Sequence, residues 1–251
     1  MSKLISKQSV AIWYALNALL ATFLVGQVIL WFFPDRSSMG ASLLFILMNL
    51  IPMIVAAVFS LVLREVNSLG EFFKKVFLQK ESSLSWILAF FIPVIYYGIS
   101  ILLMNVCFTG NSFLAFFLYF PWTLLYGGLE EVGWRWFLQD HLSFSKHFIP
   151  KMMLLSIVWF LWHIPIYQLP WITAGSSNYL IFYLMILGNT FLFGALKEYS
   201  KGAVPCILAH MLIDSLAVLM LVQSSLPQII LLVSFEILVA SWLVAIRKSL
   251  K

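Results

Sequence analysis

Gly127-Gly128-Leu129-Glu130-Glu131-Val132-Gly133-Trp134-Arg135 lies inside a stretch, 113–138, whose other residues are almost all apolar. An ionised side chain at the centre of a membrane span costs about 2.5–3.5 kcal/mol on insertion scales, so each one there invites a functional explanation. On a helix Glu131 and Arg135 stand four apart on one face and can pair. Glu130 is rotated by about 100° from Glu131. The spacing therefore predicts one carboxylate held by the arginine and one left free for chemistry. The plainer alternative is a cluster of boundary charges, but two adjacent glutamates would still need a reason to be dehydrated.

Outward from this stretch, the chain is written for lipid. Of its 251 residues, 63% are hydrophobic and 10% charged, against about 45–50% and about 25% in a soluble domain. A span takes about 20 apolar residues, and eight runs qualify: 9–33, 40–63, 84–106, 113–138, 150–168, 179–196, 202–222 and 228–246. Every backbone donor in lipid needs an internal partner, and these runs lack the alternation of a barrel strand. The expected fold is all-α: a polytopic membrane bundle of about eight transmembrane helices, forming a single transmembrane domain over 1–251. The segment from Arg64 to Ser83 mixes Lys74, Lys75 and Lys80 with Phe72, Phe73, Val76, Phe77 and Leu78, a pattern suited to a surface-lying amphipathic stretch.

Eight spans put both ends of the sequence on one side. That side collects Lys3, Lys7, Arg64, Lys74, Lys75, Lys80, Arg135, Lys146, Lys151, Lys197, Lys201, Arg247, Lys248 and Lys251, while the other holds Arg36. The bias places both termini in the cytoplasm. The first apolar run is longer than a signal-peptide core, with no small-residue cleavage site after it, and reads as a permanent span. The net charge of +5 is thus topological, and no basic patch with interleaved aromatics speaks for nucleic acid. Cys107, at a helix end, and Cys206, within a helix, are too few and too apolar in setting for a disulfide framework or thiolate metal site. They read as a free thiol and core filler.

The other ionisable residues within spans are His163, the pair His210 and Asp214, and Glu236. Singly, each has a bland reading: a bonded core histidine, a self-satisfied polar pair, a carboxyl bonded to a neighbouring helix. Gly188, Asn189 and Gly194 read as close-packing positions and a satisfied amide, and His141 and His147 as solvated loop residues. Jointly, three helices each carry acid–base or ligating groups. Burying them is cheapest if they face one partly wet cavity, a setting suited to water activation.

Glu130-Glu131-x-x-x-Arg135, an aromatic four residues before His163, and His210-x-x-x-Asp214 resemble the three ordered motifs of the CPBP intramembrane protease family. This group includes Rce1-like type II CAAX prenyl endopeptidases and the Abi, or bacteriocin-processing and self-immunity, proteins. The resemblance covers roughly 113–222, the catalytic core. It departs from the family pattern at Trp159, where phenylalanine is usual, at Trp136, where glycine is common, and at Asp214, where asparagine is frequent. What it implies is peptide-bond hydrolysis within the membrane. Glu130 is the base that activates water, and His163 helps hold that water or a metal. His210 and Asp214 stabilise the oxyanion or complete a metal site, and Glu131 with Arg135 supports the first motif. Two versions stay open: a divalent ion such as zinc held by Glu130, His163, His210 and Asp214, or a metal-free site. The implied substrate is a peptide or protein, with prenylated C-termini and leader peptides among the candidates. Competing functions are a non-catalytic membrane scaffold or bacteriocin immunity protein and a proton-coupled transporter, the latter disfavoured by the absence of an internal repeat.

Overall fold

The computed structural model describes residues 6–33, 38–143, 147–172 and 178–249. Lys3, Arg36, Lys146 and Lys251 of the charge count, and the middle of the 168–178 loop, lie outside the described residues. Long helices follow the apolar runs: α1 (Lys7–Phe32), α2 (Met39–Val62), the short α3 (Leu69–Phe77), α4 (Ser83–Leu102) and α5 (Phe113–Thr123). α5 runs on through two π-helical segments, Leu124–Gly128 and Val132–Leu138, into the three-residue α6 (Gln139–His141). Then come α7 (Phe148–Tyr167), α8 (Tyr179–Tyr199), α9 (Val204–Leu216) and α10 (Leu226–Ser249). The sequence marks several starts with a capping side chain: Ser6, Ser38, Ser68, Ser82 and Asn178 each accept a bond from a first-turn backbone N–H, meeting donors that the helix leaves unpaired.

Six helices are long and apolar enough to cross a membrane, and the bent 113–141 unit makes up to seven. The polytopic all-α bundle is as the sequence predicts, and the molecule is an integral multi-pass membrane protein. Two predicted spans take other forms. The fourth is bent by 46° between Phe113–Gly128 and Val132–His141, where wide π-helical turns interrupt the regular ladder. The seventh shortens to α9, 13 residues long, or about 20 Å at 1.5 Å per residue, against a hydrocarbon core of about 30 Å. Beyond α9 the chain turns into β2 (Met220–Val222), which pairs antiparallel with β1 (Val106–Phe108), Cys107 opposite Leu221. Cys107 thus sits exposed on a strand and not at a helix end. The strand forms because Leu219 accepts from Thr109 and Asn105 from Gln223, tying two non-helical connections together at one end of the bundle.

The two ends differ in charge. Lys7, Arg64, Lys74, Lys75, Lys80, Lys151, Lys197, Lys201, Arg247 and Lys248 all lie at one end, here the basic end. Among the described residues, the opposite end, which holds β1, β2 and the start of α8, carries no Lys or Arg. At the basic end α3 lies across the bundle with Phe72 and Val76 buried against Val132, Ala203 and Ile207, as its amphipathic pattern requires. His141, expected in solvent, is buried, because its ring bridges Phe137 O and Glu65 Oε1 at 2.8 Å each. His147 is exposed.

Candidate active site

The Glu130–Arg135 stretch occupies the junction between the two π-helical segments, so its side chains fan out over several neighbours. Glu131 and Arg135 form the expected pair, Nε to Oε2 at 2.8 Å, with both side chains fully buried. Such a pair holds only if its remaining hydrogen-bonding capacity is used. The guanidinium also donates to Thr190 O and stacks over the rings of Trp159 and Phe193, at 4.8 and 5.5 Å. The second oxygen of Glu131 accepts from His210 Nδ1 at 2.9 Å. Glu131 therefore does more than steady its own helix: it fixes the ring orientation of His210 and leaves Nε2 turned away from it.

That Nε2 stands 3.7 Å from Glu130 Oε1 and 3.6 Å from Asp214 Oδ2. Glu130 points away from Arg135, as its rotation on the helix dictates. Its Oε2 accepts from two indoles, Trp134 Nε1 at 2.9 Å and Trp159 Nε1 at 3.0 Å. A carboxylate with 2% of its residue surface exposed is thus held by neutral donors, with Oε1 left toward His210. Gly127 makes this approach possible. A Cβ there would run into Asp214 Oδ2 and lie 3.1 Å from His210 Nε2.

His163 bonds through Nδ1 to Trp159 O at 2.8 Å, which presents its Nε2 edge away from its own helix. Trp159 lies between the two histidines, its ring 5.6 Å from that of His163 and 5.8 Å from that of His210. His163, His210, Asp214 and Trp159 line one cavity of about 830 Å³. Glu130 is not itself in the lining: its carboxylate lies behind two residues that are, bonded to Trp159 Nε1 and 3.7 Å from His210 Nε2. The structure thus brings Glu130, His210 and Asp214 together, with His163 on the same cavity. The donor role of the two tryptophans is absent from the motif reading. Trp134 at i+4 from Glu130 could have been found from helix spacing, whereas Trp159 meets Glu130 only across helices.

Among the described residues, no three of the His, Cys, Asp and Glu side chains are grouped so as to hold a metal ion. Part of the polar set is already engaged: Glu131 and His210 Nδ1 with each other, Glu130 Oε2 with indoles, His163 Nδ1 with backbone. Glu130 Oε1 and Asp214 Oδ2, at 3.7 and 3.6 Å from His210 Nε2, are the atoms left over for chemistry.

Glu236 is fully buried, but neither carboxyl oxygen has a hydrogen-bond partner. It packs against Gly188, where a Cβ would collide with it, so the helix-to-helix bond expected of it is replaced by close packing at a glycine. Asn189 likewise leaves its Oδ1 unpartnered. Gly194 is a packing position as read, its Cβ space taken by Met152. Cys206 is buried in the core.

No curated protein matches the chain closely enough to count as a relative. The family profile described as Type II CAAX prenyl endopeptidase Rce1-like matches residues 111–216, the stretch that holds all three motifs and every side chain of the site. Over that region the chain is similar to the Rce1-like endopeptidases, in line with the motifs.

Proposed function

We propose that this protein is a CAAX-type intramembrane endopeptidase that hydrolyses a peptide bond with a water activated by Glu130, without a metal. The observation that carries it is the approach of Glu130 Oε1 to His210 Nε2 at 3.7 Å, where His210 lines a cavity that also holds His163 and Asp214. A water between Glu130 and His163 attacks the substrate carbonyl carbon while Glu130 takes its proton. The carbonyl oxygen, now an oxyanion, is stabilised by a donor preorganised in a dry setting. His210, held by Glu131, supplies it from Nε2 in its doubly protonated form. The proton on Glu130 then passes to the leaving amine as the carbon–nitrogen bond breaks, which restores the carboxylate. An ionised Asp214 cannot donate to the oxyanion. Its place beside His210 Nε2 gives it the role of holding the imidazolium.

The family match supports this class of enzyme in general, and the distances support the assignment of roles. The charge bias supports an orientation with the basic end and both chain ends in the cytoplasm. The 113–222 core acts within one transmembrane unit. Substrates are peptide segments, prenylated C-termini or leader peptides among them.

The test is cleavage of a quenched-fluorescence peptide library by protein purified in lipid nanodiscs. Glu130→Gln lowers turnover about a thousandfold, the scale of a lost general base, and leaves thermal unfolding unchanged. A chelator such as 1,10-phenanthroline leaves the rate as it was. Full cleavage by Glu130→Gln removes Glu130 from the role of base, and absence of cleavage by the parent protein defeats the protease assignment and favours a scaffold. Loss of activity on chelation, restored by zinc, replaces the metal-free route with a metal at Glu130, His163, His210 and Asp214.

A further inference from the structure

The active-site cavity has a direction. Its lining comes from the end of α4 at Tyr96 and Tyr97, the end of α7 at His163 and Tyr167, the start of α8, the end of α9, and the 221–225 connection after β2. Each of these is the half of its element that points away from the basic end. Toward the basic end, the site is packed shut. Arg135, Leu138, Leu196 and Cys206 are completely buried and Phe193 nearly so, and α3 seals the outside of that layer through Phe72 and Val76.

The shape follows from the short α9. Its 13 residues reach about 20 Å, and the remaining height is made by non-helical backbone at 217–225. Irregular backbone at membrane depth is tolerated where it is buried in protein or lines a water-filled cavity, and Gln223, Ser224 and Ser225 do line this one. Asp214, with a third of its side chain exposed, also borders a smaller cavity of about 310 Å³ toward Tyr119 and Val218, in the same half of the bundle.

We infer that the substrate reaches Glu130 from the non-cytoplasmic side, through the mouth at Gln223–Ser225, and that it is an uncharged peptide segment rich in aliphatic or aromatic residues. This rests on the protease assignment and on the orientation above. The volume is that of a site for a sizeable ligand. Apart from His163, His210 and Asp214, the described lining residues carry no charge; they offer rings such as Tyr97, Tyr167 and Phe182 and neutral polar groups at the mouth. A charged substrate end would find only the His210–Asp214 pair, already matched to each other at 3.6 Å, and burying a charge unpaired costs several kcal/mol. Exported peptides and the outer ends of membrane segments meet these terms, so among the substrates named above this route selects against prenylated C-termini, which are cytosolic.

Single-cysteine accessibility in intact cells decides it, with the membrane-impermeant reagent sodium 2-sulfonatoethyl methanethiosulfonate. Cys107, exposed on β1, serves as the native marker of the uncharged end. Ser225→Cys at the mouth and Met185→Cys within the cavity are made in a Cys107→Ser background, with Lys201→Cys at the basic end. Cys107, Ser225→Cys and Met185→Cys are expected to react from outside, and Lys201→Cys only after the membrane is opened. Modified Met185→Cys then cleaves the library peptides at least about tenfold more slowly, while modified Ser225→Cys with a bulky maleimide is slowed similarly. Reaction of Lys201→Cys from outside, with Cys107 protected, means the orientation is reversed and overturns the inference. Labelled Cys107 with Met185→Cys inert from both sides overturns it with the orientation intact, because the cavity is then closed. A parent protein that cleaves nothing defeats the protease assignment separately, since the labelling pattern does not depend on turnover.

Discussion

Glu130, the proposed base, is held at Oε2 by two indoles and faces the His210 ring with Oε1, and this arrangement determines how its neighbours will respond to mutation. Trp159→Phe keeps a smaller ring beneath the Arg135 guanidinium and between the two histidines, and removes the N–H that reaches Glu130 Oε2 at 3.0 Å along with part of the indole's bulk. A hydrogen bond to a charged group contributes about 1.5–3 kcal/mol. The variant should therefore lose about tenfold or more in kcat, with the midpoint of thermal unfolding nearly unchanged and KM little affected. A large fall in unfolding temperature would show that the indole serves packing first. Gly127→Ala tests the opposite partner: the added methyl occupies the space of Asp214 Oδ2, so turnover should collapse while the helices remain folded, as judged by circular dichroism and peptide cleavage together. The sequence makes some of this legible and some not. Glu131 with Arg135, and His210 with Asp214, are four apart on one helix, and their proximity is local geometry. The bond from Glu131 to His210 joins residues 79 positions apart, and that from Trp159 to Glu130 spans 29. Neither has a periodic signature, and both depend on how helices cross. Glu236 illustrates the same limit. A buried carboxyl announces itself in the sequence, but its contact with Gly188 depends on the packing of α8 against α10.

At the scale of elements, hydrophobic length predicts a helix well where the helix stands alone against lipid, and poorly where its neighbours take over the burial. α1, α2, α4, α7, α8 and α10 match their apolar runs closely. The 202–222 run was apolar enough to span, but its second half is covered by α5 and by β1, so it needs no helix to hide its backbone from lipid. The 113–138 run bends because its π-helical turns turn Glu130, Glu131 and Arg135 toward different partners; interruptions of this kind are common at functional sites. The surface helix α3 was visible from its alternating lysines and phenylalanines, and its start is built by local side chains. Ser68 Oγ accepts from Glu71 N, while Glu71 Oε2 accepts from Asn67 N at 2.8 Å and Glu71 Oε1 pairs with Lys75. The bond from the Asn67 backbone, then those from Lys75 and the Asn67 side chain, hold the Glu71 carboxyl down from 4.5 to about 2. A lowered folded-state value means that the ionised group favours the folded helix, fully above pH 4.5 and decreasingly as pH falls through about 2. Amide exchange in α3, corrected for its intrinsic pH dependence, should therefore be faster in Glu71→Gln than in the parent at pH 7. That gap should narrow below pH 4.5 and close near pH 2. A gap that persists unchanged to pH 2 would locate the effect in something other than the charge.

For the whole molecule, the decisive quantity is the parity of crossings, and it survives the shortening of α9. The helix begins at the basic end, where Ala203 N donates to Val76 O beside α3, and its continuation ends at β2, paired with β1 at the uncharged end. Short as it is, this segment still carries the chain from one end of the bundle to the other. The bent 113–141 unit does the same in reverse, from Phe113 near β1 to His141 against Glu65. Six straight spans, one bent crossing and one short crossing return the chain to the side on which it began, as eight regular helices would have done. The charge asymmetry therefore acts on an even number of crossings, and it supports the proposed orientation, with α1's start and α10's end together in the cytoplasm. Green fluorescent protein fused after α10 should fluoresce in intact bacterial cells, because it folds only where it is not exported through the general secretory route. Alkaline phosphatase inserted at Gly110, an exposed turn with φ of +78°, should be active, because its disulfides form only outside the cytoplasm. Activity of only one reporter would put Gly110 and the end of α10 on the same side and mean that one of the two irregular segments does not cross. Loss of both signals would mean that the basic end faces outward despite its lysines.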